Sequence, residues 1–419
     1  MYPEFPETAD DLVSLPRCDG PKLKPFDFKG WRKIEFLEYL GSGLHSYILK
    51  VSILSKVYAL KLFKFAAYDE DWSGGLADEV DRTDHETMSA LYNYMDPFSN
   101  ECRAFGRLQE DGHEDLAVKC YGYLLLDEEQ ERYLLEHFTD INGARLKFHE
   151  GDDSLEDGDP LSRIRCKDAR PSPIRCIVKE FGPTDPDLKS SDVRRILREI
   201  IQLQQLGIIQ IDVAHRQLVG GKLCDFSVAI TVPHIITSPE LNPRLTPYWV
   251  SRMEFEAFQF SISDYWDFDD MINEWNEDEQ YDNRRKNKIS VLAFPGGNGH
   301  IKYNLRSIPA RERFFSFVDP RLCEWRSCAS DIEDHVNTRK SRQRAKNGRV
   351  ENPSGVVPKA RQRLQAKPPR WFYDCDHETA ARLNRGRLRG LSTSLDWEFK
   401  DGLIFPATKW GTRRACMEC

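Results

Sequence analysis

Two aspartates, Asp212 and Asp225, have the surroundings in this chain that most favour chemistry. Asp212 lies in a polar stretch, and Gly220-Gly221 supplies the positive φ angles that a tight hairpin needs before Asp225. The order along the chain is a loop with one acid, a hairpin, and a strand that ends in a second acid. This arrangement suits phosphoryl transfer. One carboxylate would accept or orient the proton of a hydroxyl nucleophile, and the other would hold Mg²⁺.

Upstream residues supply groups that could bind the phosphates of ATP. Lys61 lies in a strand-like run, where its ammonium would neutralise the α- and β-phosphates, and Glu101 heads the next predicted helix, where it can pair with Lys61. Gly41 and Gly43, followed by Ser46, form a turn whose backbone amides would approach phosphate. The alternatives are an ordinary hairpin turn, a surface lysine on an edge strand, and an acid that favours a helix N-terminus.

Three further residues occupy positions that a protein-kinase site requires. Glu180 closes a strand and begins a hinge at 180–182 whose backbone would contact adenine. Gln217 follows Asp212 by five residues, where an amide side chain would bind Mg²⁺ together with Asp225. Asp264 lies on a later predicted helix and would support the loop that carries Asp212.

The elements around these residues predict an α+β, two-lobed protein-kinase-like fold. Short apolar runs separated by Gly or Lys predict five strands with one helix among them, capped by Ser99. Apolar residues at helical spacing from 193 to 201 predict a long helix that Gly207 ends. We expect an arm at 1–30, a small β-rich lobe and hinge at 31–182, a larger mainly helical lobe at 183–330, a disordered basic linker at 331–370 and a small C-terminal module at 371–419.

Composition limits the class of protein. The chain has 419 residues, of which 40% are hydrophobic and 31% are charged, with a net charge of −8. Residues 1–28 lack the apolar core of a signal peptide, and no run reaches the roughly 18 apolar residues of a membrane helix. The eleven scattered cysteines favour free thiols in a reducing compartment. We therefore expect a cytosolic or nuclear protein with no membrane partner.

Two regions outside the predicted fold allow other interpretations. The segment from Arg339 to Arg370 holds eleven basic residues against the single acid Glu351, which would suit DNA, chromatin or a solvated linker. An acidic stretch at 264–282 would present its two tryptophans to a partner or bury them against the large lobe. Four residues near the C-terminus could ligate zinc, although their spacing is unusual: Cys375, His377, Cys416 and Cys419.

Several runs resemble a fungal group of kinase-like proteins, among them the kinetochore family called the Sim-four complex subunit Fta-two. The runs are Phe-Leu-Glu-Tyr-Leu-Gly-Ser-Gly at 36–43, Asp-Phe-Ser-Val-Ala-Ile at 225–230, and those at 58–65, 101–108, 118–123 and 253–260. The resemblance covers residues 31–325. It implies a kinase-type fold and a nuclear role in an assembly bound to the centromere, with other kinetochore proteins as partners.

Departures from the kinase pattern separate the candidate functions. Many related chains have Asn where this chain has Gln217, whose extra methylene moves the amide oxygen by about 1.5 Å. No basic residue stands just before Asp212, since Gln210 and Ile211 occupy the positions of His and Arg in the usual motif. We predict a kinetochore scaffold that binds ATP and Mg²⁺. The alternatives are an active Ser/Thr kinase with Asp212 as base and a chromatin-binding protein acting through the basic linker.

Overall fold

A computed structural model describes residues 12–28, 33–65, 89, 92–148, 172–184, 188–241, 245–281, 288–293, 318–323 and 363–365, together with short strands at 306–308, 311–316, 371–375, 397–400 and 403–406. An N-terminal antiparallel sheet is followed by helices, which confirms the α+β class. None of the helices within these ranges combines the length and the apolar character that crossing a membrane requires.

Five antiparallel strands form the N-terminal sheet: β1 (Ile34–Ser42), β2 (Ser46–Ile53), β3 (Lys56–Phe63), β4 (Cys120–Leu125) and β5 (Arg175–Glu180). Their order across the sheet is β1-β2-β3-β5-β4. In β2 the side chains of Leu49, Val51 and Ile53 are fully buried, whereas those between them are partly exposed. This two-residue period is typical of a strand with one face on a core, and it is why the strand predictions are confirmed.

Helix α1 (Pro97–Glu110) lies between β3 and β4 in the chain and contacts β5. The cap is Asp96, whose carboxylate accepts from the backbone N–H of Ser99, and Pro97 occupies the first helical position. The prediction that Ser99 caps this helix is wrong, because an Asp-Pro pair combines a side-chain acceptor with a fixed φ and starts the helix three residues earlier.

A second helix, α2 (Glu128–His137), lies between β4 and β5. Asp127 and Gln130 form a reciprocal capping box at its start. Only Glu131 and Leu134 of the helix are buried. A helix that buries so few side chains needs few apolar residues, so the sequence shows almost no apolar repeat at helical spacing there. The expectation of a single helix among the five strands is therefore wrong for the part of the chain that the structure describes.

The helical part follows β5 and has short strand pairs in its middle. Helix α3 (Ser190–Gln205) buries its apolar face, and Gly207 just after it adopts a φ of 76°, as a helix stop requires. Four short strands follow, with β6 pairing β9 and β7 pairing β8: β6 (Ile208–Ile209), β7 (Leu218–Val219), β8 (Lys222–Leu223) and β9 (Ile230–Thr231). Gly220 and Gly221 make the predicted hairpin turn, with φ angles of 56° and 71°.

A long helix, α4 (Pro247–Tyr281), closes the helical part. It contains most of the acidic stretch, whose tryptophans the sequence placed either on a docking surface or in the core. Trp266 and Trp275 are 6% and 7% exposed, so both indoles pack inside the molecule. The aromatic residues of this stretch therefore stabilise the fold.

Residues 12–28, the described part of the N-terminal arm, form no helix or extended strand and pack tightly on α1 and β4. Leu15 and Leu23 form a β-bridge with each other, and Pro25 bridges to Tyr123 of β4. A methyl group added to Gly106 of α1 would lie 2.5 Å from the backbone of Lys22. The arm and the helix thus approach each other at backbone distance.

Five short strands lie later in the chain: β10 (Arg306–Ile308), β11 (Arg311–Ser316), β12 (Trp371–Cys375), β13 (Trp397–Lys400) and β14 (Leu403–Pro406). β12 pairs with β11, although the basic segment separates these two strands in the sequence, and β13 pairs with β14. The basic linker lies outside the described residues except for 363–365. So do His377, Cys416 and Cys419 of the predicted zinc set, and only the backbone of Cys375 is described.

Candidate functional site

Lys61 is a buried lysine on β3 that contacts two carboxylates. Its Nζ lies 2.7 Å from Oε2 of Glu101 and 2.7 Å from Oδ1 of Asp225. The side chains of Lys61 and Glu101 are 2% and 0% exposed, and that of Asp225 is 25% exposed. Three residues separated by up to 164 positions therefore meet at one point between the sheet, α1 and the segment after β8.

A second lysine, Lys179 of β5, completes this cluster. Lys179 lies opposite Ala59 in the strand register, and Ala59 and Lys61 are two residues apart on β3, so both lysines extend from the same face of the sheet. The ammonium of Lys179 forms an ion pair with Oε1 of Glu101 and donates a hydrogen bond to the carbonyl of Cys224 at 2.6 Å. The two oxygens of Glu101 are thus divided between two lysines.

The charged forms of Lys61 and Asp225 are stabilised by their neighbours in the cluster. Burial lowers the pKa of Lys61, but the carboxylates of Asp225 and Glu101 outweigh burial and raise the pKa above its ordinary value. Burial raises the pKa of Asp225, but the ammonium groups of Lys61 and Lys179 hold that pKa well below its usual range. Asp225 is consequently ionised and Lys61 protonated at neutral pH.

Short contacts fix the segment that carries Asp225. The backbone N–H of Ser227 donates to Oδ1 of Asp225 at 2.9 Å, and the side-chain amide of Gln210 donates to the carbonyl of Asp225. Phe226 is fully buried and packs edge-on against Phe105 of α1 with ring centroids 5.1 Å apart. The position of Asp225 therefore depends directly on the position of α1.

Asp212 lies in the loop after β6, and neighbouring side chains occupy both of its carboxylate oxygens. Arg216 donates to Oδ1 at 2.6 Å, and the side-chain amide of Gln217 donates to Oδ2 at 2.8 Å. Gln217 thus contacts Asp212 through its NH₂ group, whereas the sequence predicted that it would face Mg²⁺ beside Asp225.

Asp264 of α4 holds the backbone just before Asp212, in the supporting position that the sequence suggested. Its two carboxylate oxygens accept from the backbone N–H groups of Gln210 at 3.0 Å and Ile211 at 2.7 Å. Burial raises the pKa of Asp264 to about 6, although these donors favour its charged form. Ile211 has a φ of 68°, in the left-handed region that β-branched residues rarely adopt. The interaction with Asp264 helps to maintain this strained conformation.

The glycine turn lies between β1 and β2, next to the cluster. Within it, the N–H of Gly43 donates to the carbonyl of Ser46 at 2.9 Å, and Gly41 adopts a φ of 154°. Nδ1 of His45 lies 3.2 Å from Oγ of Ser227, which connects the turn to the Asp225 segment. Burial, with the nearby Lys61, lowers the pKa of His45 to about 4. A neutral imidazole therefore connects the turn to Ser227, two residues after Asp225.

Glu180 is the last residue of β5, and its side chain is exposed. The chain enters the helical part after this residue. The backbone N–H of Glu180 donates to the carbonyl of Lys119 at 2.8 Å. Two residues on, a methyl group added to Gly182 would lie 3.0 Å from Val219. The predicted hinge thus passes close to the β7–β8 hairpin.

The family model described as kinetochore Sim4 complex subunit FTA2 matches residues 12–230. The match spans just over half of the chain, including the arm, the sheet, α1 and the residues from Asp212 to Asp225. The chain belongs to this family. No curated protein matches the chain.

Membership of the FTA2 family places the chain at the kinetochore, the assembly built on the centromere. The localisation predicted from the sequence is therefore confirmed, as are kinetochore proteins as its partners. All four residues of the charged cluster lie inside the matched region.

The sequence predictions missed two residues that the structure places at this site, Lys179 and His45. Lys179 directly follows the apolar run Cys-Ile-Val at 176–178 inside β5, which was a signal that could have been noticed. His45 gave no such signal, because its contact with Ser227 joins residues that are 182 positions apart.

The cluster and the turn beside it bring hydrogen-bond donors, cations and carboxylates into one region. They offer two ammonium groups, the backbone amides of a glycine turn and the ionised Asp225. Ammonium groups and backbone amides are groups that bind anions, and an ionised carboxylate is a group that binds cations.

Proposed function

We propose that this chain is a kinase-like scaffold subunit of the kinetochore that binds ATP. In this proposal the sheet with α1 forms the small lobe of a two-lobed protein-kinase-like fold, and α3 with α4 forms the larger helical lobe. The observation that carries the proposal is the meeting of Lys61 with both Glu101 and Asp225 at 2.7 Å. A buried lysine shared by a helix carboxylate and a second carboxylate is the arrangement that positions the phosphates in protein kinases.

The nucleotide would lie between the glycine turn and the cluster. Lys61 would bind the α- and β-phosphates, and the backbone at Gly41, Gly43 and Ser46 would cover them. The backbone of the hinge that starts at Glu180 would contact adenine.

Asp225 suits Mg²⁺, because its carboxylate is ionised and a quarter exposed. Mg²⁺, when bound, would neutralise charge on the phosphates. Gln217 fits this role only after its side chain turns away from Asp212, since the amide now donates to that carboxylate.

Three features favour a scaffold over an active kinase. Both oxygens of Asp212 already accept hydrogen bonds, from Arg216 and Gln217, so a substrate hydroxyl would compete with these two donors for the carboxylate. Gln217 is longer than the Asn of active kinases, and a displacement of about 1 Å in a reacting group can lower a rate ~100-fold. No basic residue precedes Asp212 to couple the loop to a phosphorylated segment.

A chromatin-binding role for the segment from Arg339 to Arg370 remains a separate proposal, based on composition alone. Its eleven basic residues would make binding to DNA strongly salt-dependent, with a log–log slope of about −0.9 for each phosphate neutralised.

Nucleotide binding is tested by unfolding with and without Mg²⁺-ATP. We expect ATP at 100 times its Kd to raise the unfolding free energy of the wild-type protein by about 2.7 kcal/mol. Lys61→Met should abolish this increase, because the phosphates lose their buried cation. Lys56→Met removes an exposed lysine of the same strand and should retain the increase.

The scaffold part of the proposal is tested by recovery of kinetochore proteins from dividing cells that carry either the wild-type chain or Asp212→Asn. Asp212→Asn should recover the wild-type set, because a scaffold needs no catalytic base. Identical unfolding with and without ATP in the wild-type protein would exclude nucleotide binding. If the wild-type protein transfers radiolabelled phosphate, and Asp212→Asn loses both this transfer and the recovery of kinetochore proteins, the result would favour the active kinase.

A further inference from the structure

Glu101 is a fully buried carboxylate with two lysine partners, where the proposed nucleotide site requires only one. Lys61 contacts Oε2 at 2.7 Å, and Lys179 pairs with Oε1. Lys179 is itself buried, at 6% exposed, and its hydrogen bond to the carbonyl of Cys224 fixes the ammonium from a second direction. The contacts of Lys179 thus connect β5, α1 and the residue before Asp225.

The second lysine changes what happens when a phosphate enters the site. With Lys61 as the sole partner of Glu101, movement of its ammonium toward a phosphate would leave a buried carboxylate without a cation. An unpaired buried charge is strongly destabilising, so the phosphate would compete with Glu101 for one ammonium. With Lys179 in place, Glu101 keeps a cation whichever group Lys61 contacts.

We infer that Lys179 is a positioning residue that neutralises Glu101 and so frees Lys61 to bind the phosphates of a nucleotide. This inference deepens the proposed function and rests on it. Lys179 acts through Glu101 and Lys61, because its own ammonium is already held by Glu101 and by the carbonyl of Cys224. Its effect therefore falls on the phosphate part of the ligand alone.

The test compares ATP with adenosine, which lacks the phosphates, by titration calorimetry on the full chain with Mg²⁺ present. In Lys179→Met, where a chain of similar length replaces the ammonium, we expect the Kd for ATP to rise about tenfold. The Kd for adenosine should stay within about twofold of the wild-type value. A purely structural role for Lys179 would weaken the binding of both ligands equally.

Two further variants isolate the charge. Lys56→Met removes an exposed lysine of the same sheet and should leave the Kd for ATP unchanged. In Glu101→Gln, where the buried carboxylate is gone, adding Lys179→Met should change the Kd for ATP by less than about twofold. If Lys179→Met does not fold, Lys179→Gln takes its place, because its amide still donates to the carbonyl of Cys224.

The outcomes separate the inference from the function on which it rests. Wild-type protein that binds neither ATP nor adenosine would refute nucleotide binding, and the inference would be refuted with it. If the wild-type protein binds ATP, three results would refute the inference alone. Lys179→Met could weaken the binding of ATP and adenosine equally, or it could leave the Kd for ATP unchanged. The third result is a tenfold rise in the Kd for ATP when Lys179→Met is added to Glu101→Gln.

Discussion

A buried ion pair anchors Asp96, the residue that caps α1, to the sheet. Arg175 of β5 is fully buried, and its Nη1 lies 2.9 Å from both carboxylate oxygens of Asp96. Its Nη2 donates to the carbonyl of Lys64 at 2.8 Å. Because Asp96 also caps α1, a single carboxylate connects the sheet to the helix that carries Glu101.

Removal of this arginine should be costly. Arg175→Met leaves Asp96 buried without a cation, so we expect the free energy of unfolding to fall by about 3–5 kcal/mol. Urea denaturation measures the change. Lys50→Met serves as the control, because the pair between Lys50 and Glu38 at 3.3 Å is partly exposed and should contribute less than about 1 kcal/mol. Equal losses in the two variants would contradict a special role for the buried pair.

At the scale of elements, local sequence patterns predicted the five strands of the N-terminal sheet and α3 but not the contacts that pack them. The two-residue period of β2 and the helical spacing in α3 are local, and so is the Gly-Gly turn at 220–221. The cap at Asp96 was missed because Ser99 is an equally good local candidate. The position of Lys179 depends on the register between β3 and β5, which no local pattern specifies.

The candidate site was partly predictable for the same reason. Lys61, Glu101 and Asp225 were recognised by their order along the chain, and the structure brings them together. The packing of residues 12–28 on α1 was not predicted. It requires a glycine at position 106, where the backbone of Lys22 approaches the helix, and these two residues are more than 80 positions apart in the sequence.

Gly106 provides the test of this close approach. Gly106→Ala gains about 1 kcal/mol of helix propensity, but its methyl group would lie 2.5 Å from the carbonyl carbon of Lys22 and 2.8 Å from the nitrogen of Leu23. Since backbone must move, we expect a net loss of about 1–3 kcal/mol in unfolding free energy. Thermal or urea unfolding measures this loss.

The matched control for Gly106→Ala makes the same substitution where space is open. A methyl group added to Gly43 meets no atom within 4 Å, so Gly43→Ala should change the unfolding free energy by no more than about 0.5 kcal/mol. A Gly106→Ala protein more stable than wild type would show that the arm is not packed against α1 in solution.

At the scale of the whole molecule, one cluster of buried hydrophobic side chains runs from the arm through the sheet to α4. Buried titratable groups within this fold respond to pH in opposite directions. Burial raises the pKa of Glu199 to about 7, so its contribution to stability is present below pH 4.5 and is lost as pH rises toward 7. Burial lowers the pKa of His234 to about 3, so its contribution to stability is present above pH 6.5 and is lost as pH falls toward 3.

His234 joins the chain before α1 to the segment after β9, and its ring is neutral in the folded protein. Nε2 lies 2.8 Å from the carbonyl of Tyr94, and Nδ1 accepts from the N–H of Ile236 at 3.2 Å. Protonation of Nδ1 would replace this acceptor with a donor. Between pH 6.5 and about 3 the unfolded chain therefore binds more protons than the folded one, and stability falls as pH decreases.

Substitution of His234 should reduce this acid sensitivity. Two pH units below the ordinary pKa of 6.5, the neutral ring accounts for a loss of about 2–3 kcal/mol in unfolding free energy. His234→Gln carries no titrating group, so its unfolding free energy should fall less than that of wild type between pH 6.5 and 4.5, by about that amount. Urea denaturation at both pH values measures the difference. His137→Gln removes an exposed histidine of α2 and should follow the wild-type curve, whereas parallel curves for His234→Gln and wild type would mean that another group senses acid.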